Sequence, residues 1–267
     1  MLKSLINCAA MMLALAGCSS PQVKLNEWAR TNGSMTEVIK SVHFPIQTLT
    51  PAHFKPGNRL TFYIEGDGHA WATSSQPSLD PSPHAFNVAA LATRNHPGIY
   101  IARPCQFVMS QACTPSVWSN ARFSSNVIES ISEVIDVVKG RYGASSIELI
   151  GYSGGATVAL LLAEQRNDVS QLQTIAGNLD PAEWVKRHGL SPLTGSLEPS
   201  RDAAHVRNIA QRHFIGSDDR IIDPELTLDH LKDKAFRCMQ LVALPGDHVT
   251  VLEAFDSRLL EKPIVCD

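Results

Sequence analysis

Short apolar runs alternate along this chain with longer stretches of helical periodicity. Residues 59–64, 98–102, 146–150, 172–176, 213–215 and 239–244 are compact, β-branched or aromatic runs, which predicts strands. A weaker run at 44–50 predicts an early edge strand. Between them, 126–139 carries the strongest helical signal: Val127, Ile131, Val134, Ile135 and Val138 fall on one face. Asn126 with Glu129 fits an N-terminal cap, and Gly140 a stop. Residues 85–94, 156–165, 224–235 and 249–260 also read as helical. Residues 104–118 read as a loop, and 181–209 as a modest insertion with a short helix near Trp184. Strands alternating with helices predict an α/β fold, a mostly parallel central sheet with helices on both faces. Ligands in such sheets bind at the carboxyl ends of the strands, where the glycine-rich turns of this chain fall.

The first residues break the pattern. Lys3 precedes an apolar stretch from Leu5 to Leu15 that is too short to span a bilayer as a mature helix. It ends in Leu15-Ala16-Gly17-Cys18, which resembles the bacterial lipoprotein processing box. The resemblance implies removal of residues 1–17 and lipid on the sulfur and new amino group of Cys18, several acyl chains giving a stable anchor. Ser19 follows, where aspartate would signal inner-membrane retention, so the expectation is an envelope protein on the periplasmic side of the outer membrane. Residues 18–36 are expected to be a tether and 37–267 the folded domain.

Composition narrows the picture further. With 267 residues, 44% hydrophobic, the chain is long enough for one large α/β domain. A formal net charge of −3 leaves no basic stripe, which argues against nucleic acid as a partner. Of six cysteines, Cys8 leaves with the leader and Cys18 is lipidated; Cys105, Cys113, Cys238 and Cys266 remain. An even number in an oxidising compartment suggests two disulfides, with three pairings open. The local one, Cys105 with Cys113 and Cys238 with Cys266, is simplest. No Cys/His spacing suggests a metal site.

The chemistry centres on Gly151-Tyr152-Ser153-Gly154-Gly155, set between an apolar run and an Ala/Leu-rich run. Strand, sharp turn and helix in that order describe a nucleophile elbow, with the serine hydroxyl at the tip. The same letters would suit a plain glycine-rich turn, but their placement favours the elbow. A serine hydroxyl is a weak nucleophile and needs a base, which in turn needs a carboxylate to orient it.

Over roughly residues 59–260 the chain resembles the α/β-hydrolase superfamily, and more narrowly bacterial lipoproteins of that superfamily. The resemblance rests on Tyr63-Ile64-Glu65-Gly66-Asp67-Gly68, the elbow, Ile175-Ala176-Gly177-Asn178-Leu179-Asp180, the turn from Gly216 to Asp219, and Gly246-Asp247-His248. It implies an α/β-hydrolase fold with a small cap or none, and the chain order Ser, Asp, His: Ser153 as nucleophile, Asp219 as acid, His248 as base. Asp180 is the alternative acid. The oxyanion hole is expected from the backbone amides of Gly154 and Asp67; Glu65 stands where relatives often carry histidine. The implied activity is hydrolysis of an ester or similar acyl bond in a small acyl substrate, without a cofactor. Amide or peptide cleavage by the same triad, and a non-catalytic envelope binding protein, are the alternatives.

Overall fold

The computed structural model describes residues 19–200, 206–232 and 238–266. The expected leader and Cys18 lie outside the described residues. Eight strands form one sheet: β1 (Ser34–Lys40), β2 (Pro45–Pro51), β3 (Arg59–Ile64), β4 (Ile99–Ile101), β5 (Ser146–Tyr152), β6 (Val169–Ile175), β7 (Ala210–Gly216) and β8 (Met239–Leu244). Their order is β1-β2-β4-β3-β5-β6-β7-β8. β2 runs antiparallel to β1 and β4, and every pairing from β4 to β8 is parallel.

The sheet is covered on both faces. Helices α1 (Pro21–Thr31) and α2 (Asn87–Leu91) precede a short α3 (Pro115–Trp118), the long α4 (Ser125–Tyr142) and α5 (Gly154–Gln165). α6 (Pro181–Arg187), α7 (Pro224–Lys232), α8 (Thr250–Glu253) and α9 (Arg258–Glu261) complete the set. One core joins Leu60, Phe62 and Ile64 of β3 and Leu149 of β5 to the apolar stripe of α4 and to α5. The other joins Tyr63, Ile150, Ile175 and Phe214 to α1, α2 and the segment of α8 and α9. The alternation of side chains along each strand sends neighbours to opposite layers. Between β6 and β7 the described residues contribute only α6 and a single 3-10 turn at Val206–Asn208, so no large cap covers the sheet there.

Several boundaries differ from expectation. Residues 21–36 are not a tether: they form α1 and the start of β1, and Leu25 and Ala29 are fully buried. Their i, i+4 spacing makes a stripe too narrow to stand out in a polar segment, yet Trp28 extends it against Phe86 at 5.8 Å between ring centroids. Because β1 exists, β2 is an interior strand rather than an edge. α4 runs through Gly140 and ends where Gly143 takes φ 63°, the left-handed geometry of a helix stop. Glu129 does not cap it, being engaged with His43 at 2.9 Å. The last predicted helix splits into α8 and α9, with Asp256 accepting from the Arg258 amide at the break. Of the three cysteine pairings, the structure has the local one, Cys105–Cys113 and Cys238–Cys266.

Candidate active site

The tip of β5 carries the turn into α5. Ser153 sits there at φ 52° and ψ −122°, a conformation that costs a non-glycine residue roughly 1–3 kcal/mol. The surroundings hold it: the Ser153 amide donates to Ile175 O at 3.1 Å, and Ser153 O accepts from the Asn178 amide at 3.1 Å. Close approach explains the flanking glycines. A Cβ at Gly151 would collide with the backbone of Gly155 and Ala156, and one at Gly155 with the carbonyls of Ile64 and Glu65. Strand, helix and the turn after β3 therefore meet at main-chain distance behind the serine.

His248 and Asp219 come to Ser153 from the ends of the two neighbouring outer strands. His248 Nε2 lies 2.9 Å from Ser153 Oγ, and its Nδ1 lies 2.7 Å from Asp219 Oδ2. A carboxylate only accepts, so Nδ1 carries the proton and Nε2 is left to accept from the serine hydroxyl. Asp219 is buried, and its other oxygen accepts from the amides of Ile221 and Ile222, both at 2.8 Å. That arrangement locks the carboxylate plane. Asp180 lies elsewhere: it caps α6 by accepting from the Glu183 amide at 3.0 Å and faces His230 at 3.6 Å.

The turn after β3 runs beside the elbow. The amides of Asp67 and Gly154 donate no hydrogen bond among the described residues, and both residues line the same cleft as Ser153. The Asp67 side chain lies against Gly154 and takes Arg103 at 3.2 Å and Arg122 at 2.8 Å. Glu65 is buried beneath. Its oxygens accept from the Gly66 amide at 2.9 Å and the Tyr100 hydroxyl at 3.0 Å. Burial is the main cause that pushes its carboxyl up to about 7, against those hydrogen bonds and the charge of Arg103.

Three contributors had no sequence signal. Tyr152 donates to the His248 carbonyl at 3.0 Å and lies 5.3 Å from its ring, bracing the loop that carries the base. Arg103 and Arg122 come from loops far from the elbow. Asp67 was expected for its backbone amide alone; that its carboxylate joins the two arginines had no signal in the sequence. The cleft itself is open, about 520 Å³, with Trp71, His84, Trp184 and Val249 on its walls.

This constellation can be set beside known proteins. No protein-family model matches the sequence, and no curated protein is similar to it in sequence. Solved structures do match in three dimensions. A putative lipase from Acinetobacter baumannii superposes with a TM-score of 0.62 at 15% identity, over 92% of this chain and 95% of its own. A cold-adapted esterase from an Arctic intertidal metagenomic library gives 0.59 at 14%, over 87% and 93%. An α/β serine hydrolase without a lid from Xanthomonas campestris gives 0.53 at 17%, over 87% and 96%. At such identities the likeness speaks of architecture alone, and it agrees with the strand order and crossovers described above: the chain has the α/β-hydrolase fold.

Proposed function

We propose that this protein is a serine hydrolase that cleaves an ester or similar acyl bond through an acyl-Ser153 intermediate. The observation that carries this reading is the unbroken hydrogen-bonded line from Asp219 through His248 to Ser153, opening on the cleft. As Ser153 Oγ attacks the carbonyl carbon, its proton passes to His248 Nε2, and Asp219 stabilises the imidazolium. The negative charge that develops on the carbonyl oxygen is taken by the amides of Gly154 and Asp67, next to the N-terminus of α5. Collapse breaks the bond to the alcohol, which leaves with the proton from His248. Water then repeats the sequence on the acyl-enzyme, with His248 as base, and releases the acid and the free serine. An open cleft suits small acyl substrates. From its leader and Cys18, we place the enzyme on the cell envelope as a lipid-anchored protein.

A fluorophosphonate probe tests the mechanism, since it reacts only with an activated serine. Wild type should label at a single site, and Ser153→Ala should not label while keeping its circular dichroism. Asp219→Asn should slow ester turnover by on the order of 10³–10⁴-fold, the scale set by loss of a triad carboxylate in other enzymes. Asp180→Asn should cost far less. Equal or reversed costs would overturn the assignment of the acid, and labelling of Ser153→Ala would overturn the nucleophile.

A further inference from the structure

The cleft beside Ser153 has a charged wall that hydrolysis as such does not require. Arg122 lines it together with Asp67, Gly154 and Trp184. Only 8% of its side chain is exposed. Its Nη1 donates to Asp67 Oδ2 at 2.8 Å, and among the described residues that is the only hydrogen bond its guanidinium makes. A guanidinium offers five N–H groups, so most of this one's donors are unused. Its Nε is buried without a partner, as is that of Arg103.

Aromatic rings bracket that guanidinium. It lies over the Phe123 ring at 5.6 Å and over the Trp184 ring at 5.5 Å. Arg103 Nη2 holds the Arg122 carbonyl, and Arg103 itself sits over Phe123 at 5.3 Å. Stacked on aromatic faces and tied at one corner, Arg122 has lost its rotamer freedom before any ligand arrives.

Charges in this cluster do not balance. Two buried guanidinium groups, Arg103 and Arg122, share the single carboxylate of Asp67. The other acidic group nearby is Glu65, whose oxygens are held by Gly66 and Tyr100 rather than by either arginine. With its carboxyl pushed up to about 7, Glu65 does not cancel the surplus below neutral pH. Asp219 is committed to His248. Below neutral pH one positive charge is thus left over, at the wall of the cleft that Ser153 also lines. The Asp67 side chain packs so closely on Gly154 that a Cβ there would strike its carboxylate, which puts the Arg122–Asp67 pair immediately beside the elbow.

We propose that Arg122 is a specificity residue and that the preferred substrates are small esters carrying a carboxylate a few atoms from the scissile bond. This rests on Ser153 being the nucleophile. A single negative charge on the substrate neutralises the cluster, and a planar carboxylate matches the preset guanidinium. Binding energy from that remote group then positions the ester carbonyl between Ser153 and the amides of Gly154 and Asp67.

Three probes share a six-carbon acyl chain and differ at its far end, a carboxylate, a neutral ester or a plain methyl: mono-(4-nitrophenyl) adipate, its methyl ester, and 4-nitrophenyl hexanoate. Wild type should turn over the free acid with a kcat/KM on the order of tenfold to a hundredfold above the methyl ester, the worth of a charged hydrogen bond. Arg122→Gln should bring that ratio close to one, and Arg122→Lys should keep part of it. A wild-type ratio of one or less overturns the proposal. So does an Arg122→Gln variant that slows acid and methyl ester in equal proportion, since Arg122 would then merely brace Asp67. Fluorophosphonate labelling of the same samples separates the two failures. Labelled wild type without acid preference refutes the substrate class alone, whereas unlabelled wild type refutes the nucleophile and this proposal with it. If Arg122→Gln does not label, Arg122→Lys and the wild-type ratio decide.

Discussion

Glu65 shows what a single residue can do at the back of this site. It is fully enclosed, two positions before the Asp67 amide, and its two oxygens hold Gly66 and Tyr100. Burial disfavours its charged form, so in the folded chain its carboxyl is pushed up to about 7 from the ordinary 4.5 of a free glutamate. Between those two values the native state keeps a proton that the unfolded chain has lost, so the Glu65 contribution is full below about 4.5 and is lost as pH rises through 7. The whole effect is on the order of 3 kcal/mol. Glu65→Gln stays neutral at every pH and removes that slope. Its melting temperature should therefore rise relative to wild type by several degrees between pH 5 and pH 8, read by calorimetry. Parallel curves for the two proteins would show that Glu65 ionises normally.

Among the elements, the end of the chain is the part most in need of external support. α8 and α9 are each four residues long, too short to persist alone, yet they cover one face of the sheet and follow the loop that carries His248. Apolar contacts hold them through Val251, Leu252, Phe255 and Leu260. Arg212 of β7 adds hydrogen bonds to the carbonyls of Leu259, Lys262 and Pro263, each at 2.8 Å. The Cys238–Cys266 bridge then ties the residue before β8 to the tail beyond α9, across 28 positions. Cys105–Cys113 spans only 8 and pins one loop. In the chain-entropy account the longer closure stabilises more, on the order of 3 kcal/mol. Cys266→Ser should thus lower the melting temperature more than Cys113→Ser, and should reproduce most of the loss that reducing agent causes. A larger drop for Cys113→Ser would assign the stabilisation to the short loop instead.

At the scale of the molecule, the folded body begins earlier than its composition indicates. With α1 packed on the sheet from Pro21 onward, only Ser19 and Ser20 separate it from Cys18. A lipid on Cys18 would hold the domain close against its membrane rather than on a long leash. Mass spectrometry of the protein from a bacterial envelope should find a mature N-terminus at Cys18 with acyl chains attached. Cys18→Ser should give unprocessed or soluble material. A mature terminus at another residue would remove the anchor from this account.

Local sequence alone determined the strand–helix alternation and the elbow, because each depends on neighbours in the chain, whereas the cysteine pairing stayed open among three until the sheet brought Cys238 to Cys266. Apolar runs such as 146–150 and the stripe of α4 declare their burial by spacing, and Gly151 and Gly155 mark where backbones must touch. The order Ser153, Asp219, His248 was legible through resemblance, and the structure brings the three within hydrogen-bonding distance. Tertiary structure decided what depends on partners far away in sequence. Glu148 looks like a solvated position within its strand, yet it is fully buried, held by His96 at 2.8 Å, Gln173 at 2.7 Å and Thr61 at 2.9 Å. The helix at residues 21–31 escaped notice because its two buried positions have meaning only against the sheet. Asp67 was expected as a backbone-amide donor; the meeting of its side chain with Arg103 and Arg122, 36 and 55 positions away, follows from where β3, β4 and the loop before α4 end. Short-range periodicity encodes which residues are buried, but which charges face one another is fixed only when the sheet assembles.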